Sequence, residues 1–174
     1  MAEFVAGSAN LYLDLNDGGA TGFGVMTNEP EFPWQLQMIK HVQWKLKRSS
    51  PAALSIPGDF YPDSRFLRLW LHKSMMEPAS EYRQAVADAA SVLNSVTVPR
   101  GAQPGKDGGS SRTHWGVVWD HKNSTVYWRS ESNMNLQRLR LADAGLDDGA
   151  ARRYLTVESA QLPFFSDAAA QLRL

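Results

Sequence analysis

The sequence predicts an α+β fold in which three helices lie between two groups of strands. Residues 11–15 alternate apolar and polar side chains, as a half-buried strand does. Amphipathic segments follow between residues 33 and 96, and residues 115–119 alternate again. Because strands, helices and strands come in successive blocks, we expect α+β layers rather than repeated βαβ units.

The first elements are a β-hairpin and a helix. Residues 11–15 and 23–27 are the two predicted strands, and Asp17-Gly18-Gly19 supplies a turn between them. Pro33 suits the first turn of a helix that ends near Lys47. Apolar residues recur every four positions along that helix, at Trp34, Met38, Val42 and Leu46, with Ile39 beside them.

Two further helices are expected. Pro62 begins the second, which ends at Glu77-Pro78. The third follows from Ser80, and its regular apolar stripe makes it the clearest helix in the chain. The stripe consists of Tyr82, Val86, Ala89, Leu93 and Val96.

The last third of the chain predicts a loop followed by strands. Residues 99–112 are rich in Gly, Pro and Ser, which is typical of a mobile loop. A hairpin then runs from Trp115 to Trp128, with further short strands near residues 136–141 and 154–158. Apolar residues on both faces of the hairpin indicate a sheet covered on both sides, so we expect its tryptophans and Trp34 in the core.

Composition excludes several classes of protein. Eighteen Lys and Arg balance 18 Asp and Glu, so the net charge of zero gives no support for a nucleic-acid binder. No apolar stretch is long enough to cross a membrane as a helix. The chain has no cysteine, which excludes disulfides, thiolate metal sites and a cysteine nucleophile of its own.

Common cofactor and metal motifs do not match. The glycines at 101 and 105 are one residue too close for a phosphate-binding loop, and Asp107 follows Lys106 where a hydroxyl is needed. The four histidines form no H-x-x-x-H pair, so no shared metal site is expected. We therefore predict no cofactor and no metal.

Three separated blocks resemble the choloylglycine hydrolase family, which includes penicillin V acylases and bile-salt hydrolases. The blocks are GFGVMTNEPEFPWQLQ, IPGDFYPDSRFLR and THWGVVWDHKNSTVYWRSESN. Each block alone is modest, but their order and spacing together are specific. The resemblance covers residues 10–157 and is to the C-terminal half of the family protein.

The resemblance implies a fold and a chemistry. The family has the αββα sandwich of N-terminal-nucleophile hydrolases, of which this chain would be the C-terminal part, a single partial domain over residues 1–174. In the family an N-terminal cysteine attacks the carbonyl of a linear amide, and its own α-amino group serves as the base. A thioester forms, the amine leaves and water hydrolyses the acyl enzyme.

Two residues match active-site positions of the family and are our candidate catalytic residues. Asn28, within Met26-Thr27-Asn28-Glu29-Pro30, would donate to the oxyanion or accept from the α-amine. Arg65 would lie near the nucleophile and favour the thiolate. From position alone, Asn28 also suits an Asx-turn, and Arg65 suits a solvated first helical turn.

The chain lacks the residues that carry out the first catalytic step in the family. It has no cysteine, and the family's early arginine–aspartate pair has no match. We therefore expect this chain alone to be inactive. A partial chain is the simplest account, and a split-gene subunit or a degenerate remnant are the alternatives.

The expected function is the C-terminal part of a hydrolase that cleaves N-acyl amides such as bile-salt conjugates or penicillin V. The expected partners are a small-molecule amide substrate and an N-terminal half or split subunit. The intact enzyme is expected to be a homo-oligomer. A non-catalytic binding protein that reuses the same half-fold is the alternative.

Overall fold

The computed structural model divides the chain into two compact units. Unit 1 comprises Met1–Ser80 and Ser91–Val96, and unit 2 comprises Glu81–Ala90 and Thr97–Leu174. Each unit is considered by itself. The structure describes residues 2–5, 8–11, 25, 27–48, 55–105, 108–151 and 153–171.

The described residues form three α-helices, at the predicted places. They are α1 (Phe32–Leu46), α2 (Pro62–Met75) and α3 (Tyr82–Asn94). A proline lies in the first turn of both α1 and α2, where its missing N–H would have no helical partner in any case. The three helix predictions are therefore confirmed.

The N-terminal strands differ from the predicted hairpin. β1 (Ala2–Val5) pairs in antiparallel fashion with β2 (Ser8–Leu11). The hairpin expected from residues 11–15 and 23–27 lies almost wholly outside the described residues.

Unit 2 contains a predicted hairpin at the centre of its main sheet. β5 (Trp115–Asp120), β6 (Thr125–Ser130) and β7 (Gln137–Arg140) form a three-stranded antiparallel sheet in that order. The region expected to be a mobile loop carries a two-residue ladder between β3 (Gln103–Pro104) and β4 (Ser110–Ser111). Its mobility stays a prediction.

Three expectations about the last third and the tryptophans are wrong. Residues 154–158 form no strand, and Tyr154 is 95% exposed. One face of β5 is open rather than covered, because Trp115, Val117 and Trp119 are all exposed. Trp34 is also exposed, whereas Trp128 is buried as expected.

The core of unit 1 lies between α1 and α2, joined by Val25. Its buried residues are Val25, Ile39, Val42, Phe66, Leu67, Trp70 and Leu71. The buried line of α1 runs through Phe32, Gln35, Ile39 and Val42, so it shares Ile39 and Val42 with the predicted residues and departs from them at the beginning of the helix. A strict four-residue spacing drifts by about 40° per step around a helix of 3.6 residues per turn, so Trp34 rotates out to solvent.

The apolar stripe of α3 is only partly buried. Val86 is buried, but Tyr82 at the start of the stripe is exposed. The regular spacing therefore located the helix and its buried residue Val86, whereas the beginning of the stripe is exposed.

A buried arginine joins three backbone segments of unit 1. Arg68 on α2 is 6% exposed. Its Nε donates to the carbonyl of Ser95 at 3.0 Å, and its Nη1 donates to the carbonyls of Pro57 at 2.5 Å and Asp59 at 2.6 Å. Burial lowers the pKa of Arg68, while the carboxylate of Asp59 acts against that shift. Backbone oxygens thus replace part of the water that the cation lost, while its buried Nη2 has no hydrogen-bond partner among the described residues.

Replacing this arginine should destabilise the protein. Arg68→Met keeps much of the side-chain volume but leaves three carbonyls without their charged donor, which should cost about 3 kcal/mol of unfolding free energy. Urea unfolding followed by tryptophan fluorescence measures the change. Arg83→Met on the exposed face of α3 is the matched control and should cost less than about 0.5 kcal/mol. Equal losses in the two variants would contradict this account of Arg68.

Candidate active site

Both residues expected in the active site meet in unit 1. Nη2 of Arg65, in the first turns of α2, donates to Oδ1 of Asn28 at 3.3 Å. Thirty-seven positions separate the two residues in the sequence. Asn28 forms no Asx-turn, because the residue two positions on is Pro30, which has no N–H to donate.

The turn that carries Asn28 is held from both sides. The hydroxyl of Thr27 donates to the carbonyl of Glu29 at 3.0 Å. Nε2 of Gln35 donates to the carbonyl of Pro30 at 2.5 Å, and Gln35 itself is 1% exposed on α1. The Glu29–Pro30 peptide is cis. Asn28 is therefore fixed to the buried face of α1 through the backbone of its own turn.

An aspartate that precedes α2 connects the loop to the first turn of the helix. Oδ1 of Asp59 accepts from the backbone N–H of Tyr61 at 2.9 Å, and Oδ2 accepts from the hydroxyl of Ser64 at 2.8 Å. These two hydrogen bonds lower the pKa of the Asp59 carboxyl, in that order of importance. The same helical turn carries Arg65, so Asp59 fixes the backbone from which Arg65 extends.

The guanidinium groups of two arginines give the site positive charge. Arg65 is close enough to Arg68 for its charge to lower the pKa of Arg68 further. Within the described part of the chain, the buried Nε of Arg65 has no hydrogen-bond partner. Arg65 and the amide of Asn28 can therefore stabilise negative charge on a bound group. The site holds no thiol, since the sequence has no cysteine.

The described residues were compared with what a metal site and a membrane-spanning helix require. No group of three or more His, Cys, Asp or Glu side chains is placed to hold an ion among them. None of the described helices is both long enough and apolar enough to cross a membrane.

Sequence reasoning missed the residues that position the two candidates, namely Gln35, Asp59 and Arg68. Gln35 had a usable signal, since it is a polar side chain on the face of α1 that also carries Phe32 and Ile39. A buried amide needs a partner. The roles of Asp59 and Arg68 depend on hydrogen bonds to backbone carbonyl and N–H groups. Such bonds produce no recognisable pattern in the sequence.

Solved structures with a similar fold define the class of protein. Penicillin V acylase from Agrobacterium tumefaciens matches with a TM-score of 0.63 and 24% identity, over 81% of this chain and 41% of that one. A mutant of the conjugated bile acid hydrolase from Clostridium perfringens matches with a TM-score of 0.65 and 21% identity, over 89% and 50%. The fold is that of the N-terminal-nucleophile hydrolases, present in part.

The family follows from the sequence match. The model of the linear amide C–N hydrolases, choloylglycine hydrolase family, matches residues 19–152. Since this is well over half of the chain, the protein belongs to the choloylglycine hydrolase family. The resemblance noted in the sequence and the fold class it implied are both confirmed.

The chain spans about half the length of its curated relatives. An uncharacterised protein of Paramecium bursaria Chlorella virus 1 is 27% identical over 77% of this chain and 54% of its own length. The conjugated bile acid hydrolase of Lactobacillus gasseri is 25% identical over 69% and 43%. The bile salt hydrolase/transferase of Clostridium perfringens is 23% identical over 75% and 45%.

The hydrogen bonds that Asp59 accepts make unit 1 sensitive to acid. Because the folded-state pKa of Asp59 is depressed, its contribution is fully present above the unfolded-state value of about 4 and is lost as pH falls through the folded-state value. Asp59→Asn should therefore be less stable than wild type at pH 6, with a difference that shrinks below about pH 4. Urea unfolding at several pH values measures the difference.

Asp148→Asn, at an exposed position of unit 2, is the control and should leave the pH profile unchanged. A difference between wild type and Asp59→Asn that stays constant from pH 6 down to pH 3 would contradict this role of the ionised Asp59 carboxylate.

Proposed function

We propose that this chain supplies one side of the active site of a linear-amide hydrolase, whose cysteine nucleophile comes from another segment. The observation that carries the proposal is the hydrogen bond between Arg65 and Asn28 at 3.3 Å. The two residues match family active-site positions and lie together in a chain of this family. Their catalytic roles are part of the proposal.

Arg65 acts on the nucleophile. A guanidinium stays charged at every physiological pH and lowers the pKa of a neighbouring thiol, so that more thiolate is present. Arg68 adds a second positive charge nearby and is itself fixed by three carbonyl groups. Arg65 therefore acts from a rigid support.

Asn28 acts on the oxyanion. Arg65 can only donate, so Oδ1 of Asn28 faces it, and the amide Nδ2 has no acceptor among the described residues. Of the two roles the family resemblance leaves open, this orientation favours donation to the oxyanion over acceptance from an α-amine. A fixed donor of this kind contributes roughly 3 kcal/mol to transition-state stabilisation.

The reaction has two stages. The thiolate attacks the amide carbon, and the tetrahedral oxyanion forms within reach of the Asn28 amide. Collapse breaks the C–N bond, the amine leaves with the proton that the cysteine's α-amino group took from the thiol, and a thioester stays on the cysteine. Water then hydrolyses the thioester through a second oxyanion. The substrate is an N-acyl amide, and the names of the relatives make conjugated bile acids and penicillin V the compounds to test.

One observation favours a non-catalytic role instead. The 174 residues contain no cysteine, so the same donors could serve to bind an N-acyl amide without cleaving it. Whether a partner restores turnover separates these two functions. Homo-oligomerisation of the complete enzyme stays a prediction.

The purified chain alone should not hydrolyse penicillin V or glycine-conjugated cholate, because it contains no thiol nucleophile. Release of the free amine, measured with a fluorogenic amine reagent over hours, checks this. An active bacterial penicillin V acylase serves as the positive control. Turnover clearly above the blank would contradict the expectation.

A partner should restore activity through Asn28 and Arg65. The tagged chain, purified from the cells that express it, should retain a polypeptide that begins with cysteine, and the complex should release amine. Asn28→Ala should lower kcat by about 100-fold. Arg65→Gln should also shift the pH profile of cysteine alkylation upward, because the thiol loses a stabilising cation.

The matched controls are Asn94→Ala and Arg83→Gln, both exposed on α3, and neither should change kcat or the alkylation profile. A complex with no cysteine-starting polypeptide, or one that stays inactive on both compounds, would overturn the catalytic proposal and leave the binding role.

A further inference from the structure

The exposed surface of α1 in unit 1 carries positive charge only. Residues 32–48 contain no aspartate or glutamate, although the whole chain has equal numbers of acidic and basic residues. The cations are concentrated toward the C-terminal end of the helix and are all exposed: Lys40, Lys45, Lys47 and Arg48. None of these four forms an ion pair within the part of the chain that the structure describes. A helix with a basic outer surface and an apolar inner one is typical of proteins that bind anionic surfaces.

Two exposed tryptophans lie on the same outer side of α1. Trp34 is 61% exposed and Trp44 is 53% exposed. Ten positions along an α-helix place them about 15 Å apart along the axis and about 80° apart around it. The inner side of the helix packs in the core through Ile39 and Val42, so both indoles face solvent. An indole prefers the boundary between lipid and water, where its ring contacts apolar groups and its N–H stays hydrated.

The second of these tryptophans is in contact with two basic side chains. Cζ of Arg48 lies over the ring of Trp44, 4.7 Å from its centroid. The ring of His41 stacks with the same indole, with centroids 6.1 Å apart and planes 17° apart. A guanidinium that lies on an indole can still donate in its own plane to phosphate oxygens. A nucleic-acid base that stacked on this face of Trp44 would have to displace Arg48, whereas a lipid phosphate would not.

We propose that the outer surface of α1 binds an anionic phospholipid surface. The helix lies flat on the headgroups, with lipid phosphates on Lys40, Lys45 and Arg48 and with both exposed indoles at the lipid–water boundary. Each Lys or Arg near an anionic leaflet strengthens binding about 5-fold, and α1 has no acidic side chain to oppose this attraction. The partner is therefore a lipid surface, and a nucleic acid or an acidic protein are the alternatives that the test distinguishes.

Co-sedimentation of the full 174-residue chain with vesicles tests the proposal. Vesicles of phosphatidylcholine mixed with phosphatidylglycerol should bind the chain at least about 10-fold more tightly than vesicles of phosphatidylcholine alone. Added sodium chloride should weaken that binding, because it screens the attraction between exposed charges. Equal binding to the two kinds of vesicle, or binding to neither, would overturn the proposal. So would tighter binding to an oligothymidylate or to polyglutamate than to the mixed vesicles.

Charge variants locate the binding surface. The double variant Lys40→Gln, Lys45→Gln should weaken binding to the mixed vesicles about 25-fold, because two attracted charges are lost. Arg83→Gln, Lys122→Gln is the matched control, since it removes the same charge from two exposed positions of unit 2. The control should change binding less than about 2-fold, because distant exposed charges are screened. Equal losses in the two double variants would show that overall charge, and not α1, governs binding, and would overturn the proposal.

A tryptophan variant tests insertion at the lipid–water boundary. Trp44→Ala should weaken binding to the mixed vesicles about 5- to 10-fold, because an apolar side chain no longer leaves water. Trp119→Ala is the matched control and should leave binding unchanged, since Trp119 is 55% exposed and also stacks with a histidine, His121, with planes 17° apart. Equal effects of the two variants would contradict the placement of Trp44. None of these readouts depends on a thiol or on amide hydrolysis, so their failure is separate from failure of the proposed hydrolase function.

Discussion

The structure of unit 1 depends on one buried cation that donates to three backbone carbonyl groups. Arg68 connects the loop before α2, through Pro57 and Asp59, with the turn after α3, through Ser95. A buried guanidinium without such acceptors would be strongly destabilising, so the positions of these three segments are coupled. The loop before α2 also carries Asp59, which accepts hydrogen bonds from Tyr61 and Ser64 at the beginning of the helix that carries Arg65. The geometry of the candidate site thus follows from how one charge is neutralised.

The candidate site supplies groups that can stabilise negative charge, but it contains no thiol nucleophile. Asn28 and Arg65 can stabilise negative charge, and their supports, Gln35 and Asp59, fix them with little freedom. The chain belongs to the choloylglycine hydrolase family, whose description is linear amide C–N hydrolases. Negative charge on an amide oxygen is therefore the charge that this pair would be expected to stabilise. Preorganised donors have catalytic value only when a nucleophile generates the oxyanion they stabilise, and this sequence has no thiol to do so.

The two buried arginines differ in the groups that surround their charges. Arg68 is surrounded by backbone oxygens and has Asp59 nearby, and its role is structural. Arg129 has a hydroxyl and a thioether as partners and faces a cavity. Burial depresses the pKa of both, and each has one buried nitrogen without a hydrogen-bond partner among the described residues. Asp59 opposes the effect of burial on the pKa of Arg68, and no acid does so for Arg129.

The sequence by itself determined the helices, the β5–β6 hairpin and the family, because these depend on local periodicity, proline positions and the order of short motifs. It also named Asn28 and Arg65, through motif matches 37 residues apart. Only the tertiary structure decided which tryptophans are buried, that residues 154–158 form no strand, and that Gln35 and Arg68 hold the site. The physical reason is that apolar alternation identifies one face of a strand but not whether another element packs against that face. In addition, every residue type has a backbone carbonyl, so the sequence does not show which carbonyl will accept a hydrogen bond from a buried side chain.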